Sequence, residues 1–224
     1  MSIRLPARQH ISPTNDADPL QYYYLPLTRY VYTRRLELVC DLLGNGPFEN
    51  LLEIGYGSGI LLPELSQRCR HLVAVDIHRQ FDQVHAMLEA EGVEASLRYG
   101  DVRSLPFQDA EFDAVVCVSV LEHLVDLDAA VGEMCRVSRS PGVAIIGFPV
   151  RNTVTDAFYR LVGYDPVAIH PSSHRDILAA IRARLRVDRC VIFPSFLPMG
   201  LCLYVACRCH ASKNWLQQSV NSPF

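Results

Sequence analysis

The stretch that decides the fold is LLEIGYGSG, residues 51–59, followed by LVAVD at residues 72–76. In the first stretch an apolar run leads into Glu53, and Gly55, Gly57 and Gly59 then alternate with other residues. Alternate glycines let the backbone turn sharply and approach a ligand where a Cβ would collide. Asp76 ends the second run and offers a carboxylate at a suitable distance for a ribose diol, as in dinucleotide folds. The pattern predicts a nucleoside-type cofactor on an α/β sheet.

The spacing of the glycines separates two kinds of cofactor. A dinucleotide fingerprint has the form G-x-G-x-x-G. This chain has G-x-G-x-G, with Ile60 where the third dinucleotide glycine would fall. The register therefore disfavours a nicotinamide-dependent oxidoreductase, which is kept as the weaker alternative.

A set of motifs in a fixed order carries a resemblance to a known family. EIGYGSG is followed by Asp76, Gly100-Asp101, LPF, FDAVV and LEHL, all before residue 125. This set resembles the class I S-adenosylmethionine-dependent methyltransferases, and among them the small-molecule group related to the ubiquinone/menaquinone methyltransferases. The resemblance covers roughly residues 50–150, and more loosely the segment to about residue 209. It implies S-adenosyl-L-methionine as the cofactor.

The alternation of apolar strands with helices predicts the fold. The expected strands are residues 51–55, 72–76, 95–100, 112–119, 143–148, 187–193 and 201–207. Apolar strands that alternate with helices indicate a parallel sheet covered on both faces. We expect Pro141-Gly142 to end the helix before the fifth strand, and Ser173-x-x-Asp176 to begin the last helix. The resemblance implies a Rossmann-like doubly wound seven-stranded sheet, mostly parallel, with an antiparallel C-terminal hairpin strand.

The chain divides into four expected segments. Residues 1–47 form an N-terminal arm and lid helix, and residues 48–150 the S-adenosylmethionine-binding core. Residues 151–209 hold an acceptor-side insertion, the last helix and the strand hairpin, and residues 210–224 a polar tail. We expect residues 1–20 to be a mobile arm. In the first helix, over 28–43, Arg34 and Arg35 are expected to point away from the apolar face.

Ligands of open α/β sheets bind at the carboxyl ends of the strands, which selects the candidate cofactor contacts. These are Glu53, Gly55, Tyr56, Gly57, Gly59, Asp76, Ile77, Asp101, Val102 and Ser119. The resemblance implies that Asp76 binds the ribose hydroxyls, that Asp101 with Val102 frames the adenine, and that Glu53 supports the methionine portion. Helix capping by Asp76, a turn role for Asp101 and backbone contacts for Glu53 are the alternatives.

Three histidines are the candidate catalytic residues. His123 follows Glu122 and suggests an acid/base couple, whereas His170 and His174 precede or begin the last helix. A helix N-terminus disfavours imidazolium, which would keep His174 neutral. Methyl transfer by in-line displacement mainly requires alignment, and a base is needed only when the acceptor must lose a proton. Packing or capping roles compete with catalysis at all three positions.

Two aromatic segments are expected to shape the acceptor pocket. The first contains Tyr22, Tyr23, Tyr24 and Tyr30, and the second spans residues 157–164. Binding pockets are mostly apolar with a few placed polar groups. If these segments are lids, the acceptor is a small aromatic or lipophilic molecule; core packing of the same rings is the equal alternative.

Composition bounds the compartment and the partners. The chain has 224 residues, 50% of them hydrophobic. Because its net charge is −3, it has no overall electrostatic attraction to nucleic acid. No apolar run is long enough for a membrane span, and the start has no secretory h-region, so we expect a cytoplasmic protein. Reduced thiols are expected for the eight cysteines. The cluster Cys207-Arg208-Cys209-His210 lacks a paired C-x₂-C, so no metal is expected.

The function predicted from these observations is transfer of a methyl group from S-adenosyl-L-methionine to a small aromatic or lipophilic metabolite. A catalytically silent S-adenosylmethionine-binding subunit that supports a partner is the alternative outside catalysis. The oligomeric state and the acceptor atom stay open.

Overall fold

The computed structural model describes residues 3–15, 18–152, 155–156 and 170–211. One seven-stranded sheet, in the order β3-β2-β1-β4-β5-β7-β6, organises these residues. Its strands are β1 (Phe48–Ile54), β2 (Cys69–Asp76), β3 (Ser96–Tyr99), β4 (Phe112–Val118), β5 (Ser138–Pro149), β6 (Leu185–Phe193) and β7 (Tyr204–Ala211). Strands β1 to β5 run parallel, and β7 is antiparallel to both β5 and β6. The predicted fold class is confirmed.

Helices follow the strands and begin or end at residues suited to those positions. They are α1 (Pro26–Leu43), α2 (Leu62–Leu65), α3 (Phe81–Glu91), α4 (Leu127–Val137) and α5 (His174–Arg184). Short 3-10 helices occupy Pro19–Tyr23, Ser66–Arg68 and Leu121–His123. Helix α3 ends at Gly92 in the left-handed conformation, and Ser173 with Asp176 forms the predicted capping box of α5.

Each face of the sheet buries its own hydrophobic core. On β1, Leu51 packs with residues of α1 to α3, whereas Leu52 and Ile54 pack with residues of α4 and α5. Successive side chains of a strand point to opposite faces. Glu53 therefore lies on the same face as Leu51, toward α1 to α3.

The N-terminal arm packs against the helices, so the expectation of a mobile arm is wrong for its described residues. The Arg4 N–H donates to Glu64 Oε2 at 2.5 Å, and the Ala7 N–H donates to Glu91 Oε1 at 2.8 Å. His10 Nδ1 lies 2.7 Å from the same Glu91 oxygen, and Ile11 is 2% exposed. Two buried or half-buried acids on α2 and α3 thus fix the course of the arm, which no local sequence pattern reveals.

Two boundaries near the fifth strand differ from the sequence prediction. Helix α4 ends at Val137 rather than at Pro141-Gly142, and β5 begins at Ser138. The Ser138 hydroxyl donates to the Met134 carbonyl at 2.7 Å and so satisfies an end of the helix. The predicted tail is also too long, because β7 extends through Ala211 and His210 Nδ1 lies 2.7 Å from the Gly142 carbonyl. Residues 212–224 lie outside the described residues.

The cysteines differ in part from the expected thiols. Cys190 and Cys207 face each other across β6 and β7 and form a disulfide, so the expectation is wrong for this pair. The other six cysteines form no disulfide. Within the C-x-C-H cluster, Cys207 is bonded to Cys190 and Cys209 is buried in the core. Among the described helices, none combines the length and the apolar character that a membrane crossing requires.

Candidate functional site

The candidate cofactor residues meet where β1, β2 and β4 end. The glycine turn, residues 55–59, follows β1, the central one of these three strands. Asp76 is the last residue of β2, and Ser119 follows β4. This edge is where open α/β sheets bind their ligands, and the sheet order brings together residues that are up to 66 positions apart in sequence.

The glycine turn needs its glycines for two different reasons. Gly55, Gly57 and Gly59 have φ angles of +77°, +51° and +83°, which L side chains rarely adopt. A Cβ at Gly55 would also lie 2.2 Å from Val120 Cγ2, because the loop after β4 passes close by. A Cβ at Gly57 would meet no atom within 4 Å. Gly55 therefore serves close packing, whereas Gly57 leaves open space above the turn.

Asp76 braces this turn from the neighbouring strand. Its Oδ2 accepts a hydrogen bond from the Gly57 N–H at 2.9 Å, and its Oδ1 accepts one from the His78 N–H at 3.2 Å. His78 Nε2 in turn lies 2.9 Å from the Gly57 carbonyl, and its ring contacts Tyr56 with centroids 4.8 Å apart. The sequence reasoning missed His78, although its place two residues after Asp76, where an Asx turn can form, is a signal that it could have used.

Glu53 is a buried acid with an unsatisfied oxygen. It is 3% exposed, and its Oε2 has no hydrogen-bond partner among the described residues. Burial, and next the charge of Asp76, raise the pKa of Glu53 to about 8. An orphaned buried carboxylate oxygen is costly, and a cationic ligand beside it would let the acid ionise.

Asp101 and Val102, which are predicted to frame the adenine, already have contacts within the protein. Arg103 binds the Asp101 carboxylate through Nε at 3.0 Å and Nη2 at 2.5 Å, and this contact holds the pKa of Asp101 below its usual range. Ser104 N–H also donates to the Asp101 carbonyl at 2.9 Å, which is a turn contact. Val102 is buried in the core, whereas Ile77 is 67% exposed. Asp101 thus has a local structural role whether or not it also binds a ligand.

A second group of ionisable side chains follows β4. Ser119 has a φ of +55°, uncommon for a residue with a side chain. Glu122, three residues later, is buried, and its Oε2 has no partner within the described part of the chain. Burial raises the pKa of Glu122 to about 8.

The structure brings two of the three candidate histidines together. The rings of His123 and His170 lie 5.1 Å apart, and both offer a nitrogen within 4.8 Å of a Glu122 oxygen. Burial, and next the proximity of His123, lower the pKa of His170 to about 4. Two imidazoles and a carboxylate are a donor set that could hold a divalent metal ion. His174 is buried in the first turn of α5, where burial lowers its pKa.

Arg35 of α1 does not point away from the protein, so that prediction is wrong. Its guanidinium lies 4.1 Å from the centre of the Tyr32 ring and 5.3 Å from that of Tyr204, and it donates to the Tyr23 hydroxyl at 3.3 Å. Arg34 behaves as predicted and pairs with Glu37 at 2.9 Å. The tyrosine rings come from three separate elements, and they extend the buried surface of α1 beyond its apolar stripe.

The first predicted aromatic segment forms a cluster over α1. Tyr22 stacks on Tyr32 with ring centroids 5.1 Å apart, and Tyr23 meets the same ring edge-on at 5.2 Å. Tyr30 contacts Phe193 of β6 at 6.0 Å. The second predicted segment, residues 157–164, lies outside the described residues.

A groove elsewhere on the molecule does not coincide with these residues. It has a volume of about 500 Å³ and is lined by residues of β2, β3 and the segment after them, among them Val73, Arg98 and Phe107. None of the candidate cofactor or catalytic residues lines it. This groove is therefore separate from the candidate residues at the strand ends.

Comparison with known proteins identifies the central part of the chain. Residues 52–146 match the family model described as a methyltransferase domain. The matched stretch begins within β1 and ends within β5, so it contains the glycine turn, Asp76, Asp101 and Glu122. The resemblance predicted from the sequence is confirmed over this stretch.

Curated relatives match a similar portion. The ubiquinone biosynthesis O-methyltransferase of Alkalilimnicola ehrlichii is 30% identical over 121 residues, which are 53% of this chain and 49% of that protein. The demethylmenaquinone methyltransferase of Roseiflexus castenholzii is 37% identical over 92 residues, 41% of this chain and 39% of that protein. The chain thus spans about half the length, or less, of these relatives.

Among solved structures, geranyl diphosphate C-methyltransferase from Streptomyces coelicolor aligns with a TM-score of 0.67 and 19% identity. The alignment covers 90% of this chain and 91% of that chain. That protein was crystallised with Mg²⁺, geranyl diphosphate and S-adenosyl-L-homocysteine. At this identity the likeness establishes the shared fold.

Proposed function

We propose that this protein transfers the methyl group of S-adenosyl-L-methionine to a small aromatic or lipophilic acceptor, because residues 52–146 match the family model described as a methyltransferase domain. The observation that carries the proposal is the unpartnered, buried Oε2 of Glu53, on the strand that leads into an open glycine turn. The curated relatives named as methyltransferases of quinone biosynthesis support a small acceptor.

The residues at the strand ends fit this cofactor. S-adenosylmethionine carries a sulfonium and an ammonium group, and a positive charge near Glu53 favours the ionised form of the acid. NAD would instead bring a negatively charged pyrophosphate toward a turn that is flanked by the carboxyl groups of Glu53 and Asp76. The electrostatics therefore favour S-adenosylmethionine over the nicotinamide alternative.

The proposed roles follow the geometry of each residue. Asp76, which already holds the Gly57 N–H, has further lone pairs for the ribose hydroxyls. Gly57 leaves the space for the cofactor, and Glu53 supports its methionine portion. Asp101 is assigned to the adenine amine, in competition with its contact to Arg103. Gly55, Tyr56, Gly59, Ile77, Val102 and Ser119 complete the proposed binding set.

When bound, the cofactor supplies a methyl group on a good leaving group. The protein then mainly has to align the acceptor, which can lower the barrier by roughly 7–11 kcal/mol. The tyrosines over α1 would exclude water from that position. If the acceptor must lose a proton, the pKa values matter: His170, with a pKa of about 4, is neutral but a weak base. Glu122, with a pKa of about 8, lies nearer the value that suits general-base catalysis at neutral pH.

Methyl transfer is tested with S-adenosylmethionine that carries a radioactive methyl group and a small-molecule extract. We expect label in the organic-soluble fraction and none in protein or RNA. Label in the macromolecular fractions would contradict the small acceptor. Cofactor binding without label in any fraction would favour the silent-subunit alternative.

A further inference from the structure

Arg35 is a half-buried cation held by aromatic rings rather than by an acid. Its guanidinium lies over Tyr32 and Tyr204 and donates to the Tyr23 hydroxyl. Its Nε is shielded from water and has no hydrogen-bond partner among the described residues. One donor of the planar guanidinium fork is therefore unsatisfied among the described residues.

No acid within the described residues forms an ion pair with this guanidinium. The acids that follow on the same helix, Glu37 and Asp41, face Arg34 instead. The three tyrosines contact the guanidinium with two ring faces and a hydroxyl group rather than with a carboxylate. Glu122 lies near enough for Arg35 to favour its ionisation, but within the described residues the two side chains form no ion pair.

Arg35 is connected through Tyr204 to the loop that follows β4. Tyr204, the first residue of β7, lies against Gly147 of β5, because a Cβ at Gly147 would be 2.5 Å from the Tyr204 hydroxyl. The Gly147 carbonyl in turn accepts the Ser119 N–H at 2.8 Å. The guanidinium thus lies one tyrosine away from the loop that carries Ser119 and Glu122.

We propose that Arg35, in its cage of Tyr23, Tyr32 and Tyr204, recognises an anionic group on the acceptor. Guanidinium forks match carboxylates and phosphates, and such charge-assisted contacts are strong where water is excluded. That the anion belongs to the methyl acceptor rests on the proposed function. That the ligand is anionic rests on the guanidinium of Arg35, which has no acidic partner among the described residues. It narrows the acceptor to an aromatic or lipophilic acid or phosphate.

The test uses the full chain and a pair of probes that differ in charge alone. Benzoate and benzamide have the same ring and similar shape, and inorganic phosphate serves as an anion without a ring. Each is titrated by calorimetry with and without S-adenosylhomocysteine, on wild type, Arg35→Gln, Arg35→Lys and the control Arg34→Gln. Arg34 is the matched control because it is adjacent and its guanidinium pairs with an acid, the half-buried Glu37.

We expect at least one of the two anions to bind measurably and benzamide to bind at least about tenfold more weakly than benzoate. Arg35→Gln should weaken anion binding roughly 10- to 100-fold and leave benzamide unchanged, whereas Arg35→Lys retains part of the affinity. Arg34→Gln should have no effect.

Equal affinities of benzoate and benzamide for wild type would overturn the proposal, and this comparison needs no variant to fold. The absence of saturable binding of either anion below about 10 mM would also overturn it. An equal loss of affinity for benzoate and benzamide in Arg35→Gln would overturn it too, because it indicates a structural role for Arg35. Anion selectivity in a protein that fails to bind S-adenosylhomocysteine would leave the anion site standing and remove the proposed function instead.

Discussion

Glu53 and Asp76 differ in the contacts that they make within the protein, and this difference predicts different roles in ligand binding. Asp76 accepts the backbone N–H groups of Gly57 and His78 and is therefore held in place before any ligand arrives. The Oε2 of Glu53 has no partner within the described residues, and its pKa is raised to about 8. Asp76 is thus pre-organised, whereas Glu53 depends on the ligand for its missing partner.

Glu53→Gln should stabilise the ligand-free protein and weaken S-adenosylmethionine binding. The folded-state pKa of Glu53, about 8, lies above its ordinary value of 4.5. The contribution of Glu53 to stability is therefore complete below pH 4.5 and is lost as the pH rises toward 8. The amide has no such loss, so the melting temperature of the variant should exceed that of wild type at pH 8 and approach it near pH 4.5.

Thermal melting at several pH values checks this, with the exposed Glu94→Gln as the control. A variant less stable than wild type at pH 8 would show that Glu53 is ionised and satisfied in the fold.

Asp76→Ala should weaken the binding of S-adenosylhomocysteine by more than about tenfold, because hydrogen bonds to a charged acceptor contribute roughly 1.5–3 kcal/mol each. Calorimetric titration of the variant measures the change. Asp82→Ala, an exposed acid in the first turn of α3, is the control and should bind as wild type does. Unchanged affinity in Asp76→Ala would remove the ribose role.

At the scale of elements, substitutions in the glycine turn allow the effect of backbone strain to be measured separately from the effect of blocking the ligand. Gly57 and Gly92 both have positive φ, +51° and +65°, and a Cβ at either would meet no atom within 4 Å. Alanine should cost roughly 1–2 kcal/mol of stability at both positions.

Gly57→Ala alone should also lose S-adenosylhomocysteine, because its Cβ enters the space assigned to the cofactor. Denaturant unfolding and calorimetry on the two variants measure both effects. Comparable affinities for the ligand in the two variants would contradict the placement of the cofactor over the turn.

Glu91 of α3 is one of the two acids that hold the N-terminal arm. Burial alone would raise the pKa of Glu91, but hydrogen bonds from the Ala7 N–H and His10 outweigh it and lower the pKa. A lowered pKa adds stability that is present above the ordinary value of 4.5 and is lost as the pH falls through the lower folded value.

We expect Glu91→Gln to free the arm for proteolysis at pH 7 and to match wild type in strongly acidic solution. Limited proteolysis at pH 7 and melting curves over pH 3 to 7 would reveal this. A variant whose arm resists protease as wild type does would contradict the role of Glu91.

At the scale of the whole molecule, the sequence predicted the sheet because the information is local. Runs such as LVAVD and FDAVV are apolar enough for strands buried on both faces, and neighbouring helices carry caps of their own, Gly92 after α3 and Asp126 before α4. The antiparallel end of the sheet came from the family resemblance. The end of α4 was misplaced because a side-chain contact, from Ser138 to Met134, competes with the signal of Pro141-Gly142.

The candidate site also contains some residues that local sequence predicts and others that only the tertiary structure brings together. The glycine turn and Asp76 belong to short contiguous motifs, so the sequence was enough to find them. Arg35 depends on Tyr204, which is 169 positions away, and the meeting of His123 with His170 also depends on tertiary structure. A helical pattern cannot report rings that arrive from β7, and it therefore assigned Arg35 to the surface.

The central claim is that the strand ends bind S-adenosylmethionine, and calorimetric titration of the wild-type protein tests it most directly. The ligands are S-adenosylmethionine, S-adenosylhomocysteine and NAD, in the same buffer at pH 7. The account predicts micromolar binding of the first two and no heat from NAD. Binding of NAD with no signal from either adenosyl ligand would contradict the claim and leave the α/β fold alone established.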